Sequence, residues 1–331
     1  MSVPKLETLQ LGRALAAIAV VVYHASLASD AFTNEQNTSF FEWGVLGVDY
    51  FFILSGFIIF SIHREDSRST TAALRFLRKR MIRIYIPYLP ISILLILAYN
   101  ALPSLSATSR DWGLLTSLTL IPTTSPPALS VAWTLTYEMI FYVFFLTFYA
   151  TKGFKWIVFI WLIVVVANYF WPFDADRPLN AFFSHLLNPV IILFILGIAI
   201  AEIYARVSKN YWWIATGFGL CAILFAFLPG SPTRAALGVA FAMIILSGVM
   251  LETKYQISLP RWPLILGNAS YAIYLIHNPV QSLVARAFAW SNNWIIVFVL
   301  CTLFGILSGL IYHFKFEIHA LRWLYSSRKL Q

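Results

Sequence analysis

Long apolar runs recur through this 331-residue chain, each about as long as a bilayer crossing. Ten can be traced, at about 9–28, 44–62, 83–100, 132–150, 154–171, 189–205, 211–228, 234–250, 266–289 and 294–314. In hydrocarbon there is no water for backbone N–H and C=O groups, so such a run must satisfy them internally, as a helix. Charged residues make up only 11% of the chain, against about 25% in a soluble domain. That scarcity excludes a soluble globular enzyme, a disordered chain and a disulfide scaffold. The expected fold is all-α: a polytopic transmembrane helix bundle of about ten spans. No fixed-period repeat and no internal boundary interrupts it, so one domain over 1–331 is expected, with no appended soluble domain.

The net charge is +9, and its distribution is more informative than its size. With the N-terminus inside, 19 of the 23 Lys and Arg residues fall in cytoplasmic segments. Arg110, Arg177 and Arg234 fall in outer loops, and Arg286 within a span. This positive-inside asymmetry predicts an even helix count and two cytoplasmic ends. It also turns the basic charge toward a membrane surface and away from nucleic acid. The run Leu15–Tyr23 followed by Ser26-Leu27-Ala28 has the outline of a cleaved leader. Arg13 would interrupt that leader, and removing it would leave an odd count, so the first run is read as a retained span. Cys221 and Cys301 sit in apolar runs without a CxxC spacing, as small core residues.

Ionisable side chains inside spans are costly and become functional candidates. Arg13 and His24 lie eleven residues apart on the first span. Eleven residues is three helical turns plus about 20°, so both project from one face, about 16 Å apart along the axis. A snorkelling arginine and a histidine bonded to a nearby carbonyl is the plain alternative. The second span opens Gly47-Val48-Asp49-Tyr50 and continues through Ser55-Gly56, which packing alone also explains. The fourth begins Trp133-Thr134-Leu135-Thr136-Tyr137-Glu138 and continues to Phe141-Tyr142. His24, Asp49 and Glu138 share one depth in the outer part of their spans, which predicts an acid/base cluster.

Before the third span runs Leu74-Arg75-Phe76-Leu77-Arg78-Lys79-Arg80-Met81-Ile82-Arg83, an amphipathic cytoplasmic helix by pattern. Arg80 and Arg83 share a face and suit a phosphate clamp. Attraction to anionic lipid accounts for such a run equally well. The ninth span begins Leu266-Gly267-Asn268-Ala269-Ser270-Tyr271 and reaches Tyr274 and His277, with Asn268 placed as an N-cap and Pro279 as a kink. His277 also reads as a satisfied structural histidine. No HExxH, GxSxG, Walker or EF-hand pattern occurs, and no metal site is expected.

In order, Arg13–His24, Gly47-Val48-Asp49–Phe57, Arg80-x-x-Arg83, Trp133-Thr-Leu–Glu138–Phe141-Tyr142 and Ser270-Tyr271–Tyr274-Leu275–His277 resemble the acyltransferase-3 family of integral membrane acyltransferases. Arg13–His24 matches its R/K-X10-H signature. Where the third motif often carries a polar residue beside its Glu, this chain has Tyr137. The length resembles the shorter branch, which includes exopolysaccharide and lipopolysaccharide O-acetyltransferases. The resemblance implies ten core helices in a bacterial inner (plasma) membrane. It implies no permanently bound cofactor, with acetyl-CoA or another acyl-CoA as co-substrate from the cytoplasm. The implied acceptor is a carbohydrate or lipid-linked glycan hydroxyl. It also implies roles for Arg13, His24 and the Arg80/Arg83 pair.

Taken with that resemblance, these residues imply O-acyl transfer across the bilayer. Arg80, Arg83 and Arg13 hold the acyl-CoA phosphates, and the pantetheine arm threads outward between helices. His24 serves as general base or first accepts the acyl group, with Glu138 or Asp49 orienting its imidazole. Ser55, Trp133, Tyr142, Tyr274 and His277 are the candidate pocket residues. The competing function is a secondary transporter or glycan flippase, since intramembrane His, Asp and Glu also suit proton coupling. No matched pair of interrupted helices supports it.

Overall fold

The computed structural model describes residues 6–102, 112–171, 178–228, 230 and 232–326. Lys5, Arg110, Arg177, Arg328 and Lys329, part of the charge asymmetry above, lie outside them. Fourteen α-helices follow one another among the described residues, and none of these residues forms a strand. They are α1 Glu7–Phe32, α2 Leu46–His63, α3 Thr70–Ala101, α4 Leu114–Thr119, α5 Trp133–Phe145, α6 Thr147–Ala150, α7 Phe154–Phe170, α8 Pro178–Leu186, α9 Ile191–Arg206, α10 Trp212–Ala226, α11 Thr233–Tyr255, α12 Arg261–Phe288, α13 Trp294–Tyr312 and α14 Ile318–Ser326. A π-turn over His313–Glu317 joins the last two.

Each apolar run read from the sequence is helical, and the chain is an all-α polytopic bundle. By length and hydropathy, seven segments among the described residues are fit to cross a membrane. These are Glu7–Phe32, Thr38–His63, Thr70–Ala101, Ser130–Ala150, Ala181–Arg206, Thr233–Tyr255 and Trp294–Leu324. Three expected spans fall outside that set. α7 and α10 have only 17 and 15 residues, and α12 spends part of its 28 residues on polar side chains.

Two boundaries differ from the sequence reading. The basic amphipathic stretch and the third span are one helix, α3, started by Ser69, whose hydroxyl accepts from the Ala72 N–H at 3.3 Å. Helical structure passes through Pro87 and Pro90, with the neighbouring Ile84 and Pro87 carbonyls taken by the Tyr271 and Tyr312 hydroxyls at 3.0 and 2.8 Å. α12 starts at Arg261, so Asn268 lies inside it and caps nothing. The helix also continues past Pro279 to Phe288.

The chain divides into two compact units, a division that falls after Val20 in α1 and after Ser270 in α12. The first takes the chain to Val20, Trp43–Asp66 and Pro189–Ser270. Close helix contacts there depend on residues without a side chain. Gly56 of α2 and Gly197 of α9 meet so closely that a Cβ on either would strike the other helix's backbone. Gly267 of α12 lies against the Gln10 carbonyl in the same way. With lipid tails as apolar as leucine, such van der Waals fit is what holds spans together. The second unit takes Val21–Glu42, Ser67–Asn188 and the chain from Tyr271. Its core includes Ala25 of α1, Val284 and Ala285 of α12, and Val297 and Cys301 of α13. Gly305 and Gly309 bring α13 against α12 there, Gly309 lying directly on Ile273.

Candidate functional site

The second unit gathers most of the candidate residues. His24 projects from α1 and His277 from α12, and their rings meet edge to face with centroids 5.0 Å apart. His24 Nδ1 lies 3.3 Å from His277 Nε2, and His277 Nδ1 lies 3.0 Å from the Ile273 carbonyl oxygen. His277 is fully buried, and so is Gln281 one turn on, which donates to the Val21 carbonyl at 2.9 Å. Gly305 makes room for both: a Cβ there would sit 3.2 Å from Gln281 Nε2 and 3.4 Å from His277 Cβ.

From this pair a line of polar side chains runs along the helices. On α12, Tyr274 and Tyr271 follow His277 at intervals of three residues; on α5, Thr134, Glu138 and Tyr142 follow at intervals of four. The α5 series covers about 12 Å of helix. The hydroxyls of Thr134 and Tyr274 bond at 2.9 Å, and Tyr274 also donates to the Val131 carbonyl at 3.1 Å. Glu138 accepts from the Tyr142 hydroxyl and lies within electrostatic reach of Tyr274 and Tyr271. Arg80 and Arg83 both lie within electrostatic reach of the Tyr142 hydroxyl. The Arg80 guanidinium stands 5.6 Å from the Phe76 ring centre and 5.8 Å from that of Tyr142, whereas Arg83 is exposed. The arginines thus flank one end of the line and the histidines the other. An imidazole pair, two guanidiniums and polar groups between them sit on four helices, α1, α3, α5 and α12.

Trp133 opens α5 partly exposed, its ring edge-on to Tyr137. Tyr137, at the position where the family pattern often has a polar residue, is buried against the His185 ring at 5.2 Å. Asp49, Ser55 and Arg13 belong to the first unit. Asp49 is wholly buried, and both its oxygens are bound by Arg234, at 2.8 and 2.9 Å. That two-point ion pair gives Asp49, expected to orient an imidazole, a partner on α11. Ser55 neighbours Gly56 on α2, where helix packing is the evident use. The Arg13 Nε donates to the Ser270 hydroxyl at 3.1 Å, and its charge acts on the buried Tyr50.

Sequence reasoning missed Arg234 as a partner, having counted it only as an outer charge. It also gave His313 no role, although His313 Nδ1 lies 2.6 Å from the Glu317 carboxylate, both buried in the π-turn. An i, i+4 His/Glu spacing was the available signal there. For Asp49 and Arg234, 185 residues apart, there was none.

Residues 6–313 match the family model described as an acyltransferase domain, of the acyltransferase-3 type. The chain is 30% identical over 274 residues to the exopolysaccharide production protein ExoZ of Rhizobium meliloti (strain 1021), covering 76% of this chain and 81% of that one. No solved structure matches. A family match across nearly the whole chain, with a 30% identical relative covering most of it, places this protein in the acyltransferase-3 family of membrane acyltransferases.

Proposed function

We propose that this protein moves an acetyl group from cytoplasmic acetyl-CoA to a hydroxyl of an exported polysaccharide or its lipid-linked precursor, in the inner membrane of a bacterium. The observation that carries this reading is the line from Arg80 and Arg83, through Tyr142, Glu138 and Tyr274, to His277 and His24. Guanidiniums suit the phosphates and diphosphate of CoA. A polar path suits the amides of a pantetheine arm, and an imidazole at its end suits a hydroxyl that must lose its proton as it attacks a thioester. The exopolysaccharide role of ExoZ's name fits a glycan acceptor. Ten spans with both ends in the cytoplasm agree with the charge asymmetry and would put the arginines inside and His24 toward the outer face.

The test uses purified protein in lipid vesicles with acetyl-labelled acetyl-CoA, comparing wild type with His24→Ala. Release of free CoA and label on added glycan or protein, both lost in the variant, is the expected result. A folded wild type without His24-dependent turnover across a range of acceptors would overturn the reading. Proton-coupled flux in those vesicles would then identify a transporter.

A further inference from the structure

His277 lies where an orienting group for His24 belongs, and its hydrogen bonds fix more than distance. Its Nδ1 faces the Ile273 carbonyl at 3.0 Å, and a carbonyl oxygen only accepts, so Nδ1 carries the hydrogen. In the neutral ring, Nε2 is then an acceptor. The atom facing it at 3.3 Å, Nδ1 of His24, must therefore be an N–H donor. That leaves the lone pair of His24 on Nε2. Two further contacts hold the relay in register. Gly309 of α13 lies directly against Ile273, the residue whose carbonyl starts it. Gly305 admits α13 beside His277 itself.

Resting on the acyl-transfer reading above, we infer that His277 is a neutral positioning residue that holds His24 in its Nδ1–H tautomer and makes Nε2 the catalytic base. The acceptor hydroxyl gives its proton to Nε2 as its oxygen bonds the thioester carbonyl carbon. The C–S bond then breaks, and the departing thiolate takes that proton back from Nε2. His24 returns to its starting state, with one ester and one thiol formed. Throughout, His277 Nε2 accepts from His24 Nδ1–H and stabilises the transient imidazolium. A carboxylate would hold the cation more strongly. A neutral ring whose other nitrogen is already satisfied avoids burying an uncompensated anion in low dielectric.

The full chain in lipid nanodiscs, with 15N-labelled histidine, reads the tautomer directly. The wild type should show His24 protonated at Nδ1, and His277→Leu should move that hydrogen to Nε2 or mix the two forms. In the vesicle assay, His277→Leu should lower kcat about 100-fold while KM for acetyl-CoA stays within about threefold. His277→Gln, which keeps an acceptor, should recover at least tenfold of that loss. A wild-type spectrum with His24 protonated at Nε2 overturns the inference, and it does so even if His277→Leu does not fold. So does a folded His277→Leu with unchanged kcat and spectrum. Acyl transfer surviving in His24→Ala would also overturn the inference, because Nε2 could not then be the base, whereas a folded wild type that transfers no acyl group would overturn the acyl-transfer reading beneath it.

Discussion

Both carboxylate oxygens of Asp49 are held by one guanidinium, that of Arg234, with Nε 2.9 Å from Oδ2 and Nη2 2.8 Å from Oδ1. The Asp49 side chain is 1% exposed, and that of Arg234 remains 60% exposed. One partner is therefore fully desolvated and depends on the other for compensation.

Removing Arg234 should cost more than removing a surface charge. Arg234→Ala strands the Asp49 carboxylate and should destabilise by about 3 kcal/mol, the low end for a buried pair because Arg234 keeps some water. Asp49→Leu combined with Arg234→Met should recover most of this, since well-packed apolar groups replace such pairs at little cost. Thermal unfolding in detergent over the double-mutant cycle measures it. An Arg234→Ala protein as stable as wild type would show that the pair has no structural weight.

Gly197 and Gly217 should respond in opposite ways to the same change. A Cβ at Gly197 runs into the Ile53 carbonyl and the Phe57 nitrogen of α2, whereas at Gly217 it meets nothing within 4 Å. Gly197→Ala should therefore separate α2 from α9 at a cost of about 2 kcal/mol or more, seen as lost expression or a lower midpoint. Gly217→Ala, in the interior of α10, should be neutral or stabilising by up to about 1 kcal/mol.

Glu252 closes the first turn of α1. It accepts from the Glu7 N–H at 2.6 Å and the Thr8 N–H at 2.8 Å, supplying an anion where the helix presents unpaired donors. Glu252→Ala should fray that turn at about 1–2 kcal/mol, read as faster hydrogen exchange confined to the start of α1. Glu252→Gln should keep part of the protection.

In the transfer assay, Arg83→Ala should raise KM for acetyl-CoA about tenfold with kcat changed far less, the signature of lost phosphate binding. Adding salt should reproduce part of that loss in the wild type. Tyr142→Phe, which takes the hydroxyl donor from Glu138, should lower kcat more than it raises KM. Equal KM values for wild type and Arg83→Ala would move the phosphates elsewhere.

The helices were legible because each satisfies its own backbone, so its existence depends only on the local run of apolar residues. Where local signals competed, the boundaries slipped. The basic amphipathic stretch read as leading into the third span is one helix with it, α3, which runs through Pro87 and Pro90 while the Tyr271 and Tyr312 hydroxyls donate to the nearby Ile84 and Pro87 carbonyls. Asn268 looked like a cap because the polar residue came just before an apolar face, while α12 had already begun at Arg261.

Local hydropathy and helical period suffice to place the apolar helical runs and to set Arg13 and His24 on one face of α1. Packing alone brings His24 to His277, Asp49 to Arg234 and Glu252 to the start of α1, pairs separated by 253, 185 and 244–245 residues. The depth expected for His24, Asp49 and Glu138 from their positions along the spans could not choose among these partners. Depth follows from position along a helix, but contact follows from which faces pack together, and glycine contacts such as Gly56 on Gly197 and Gly309 on Ile273 set that packing.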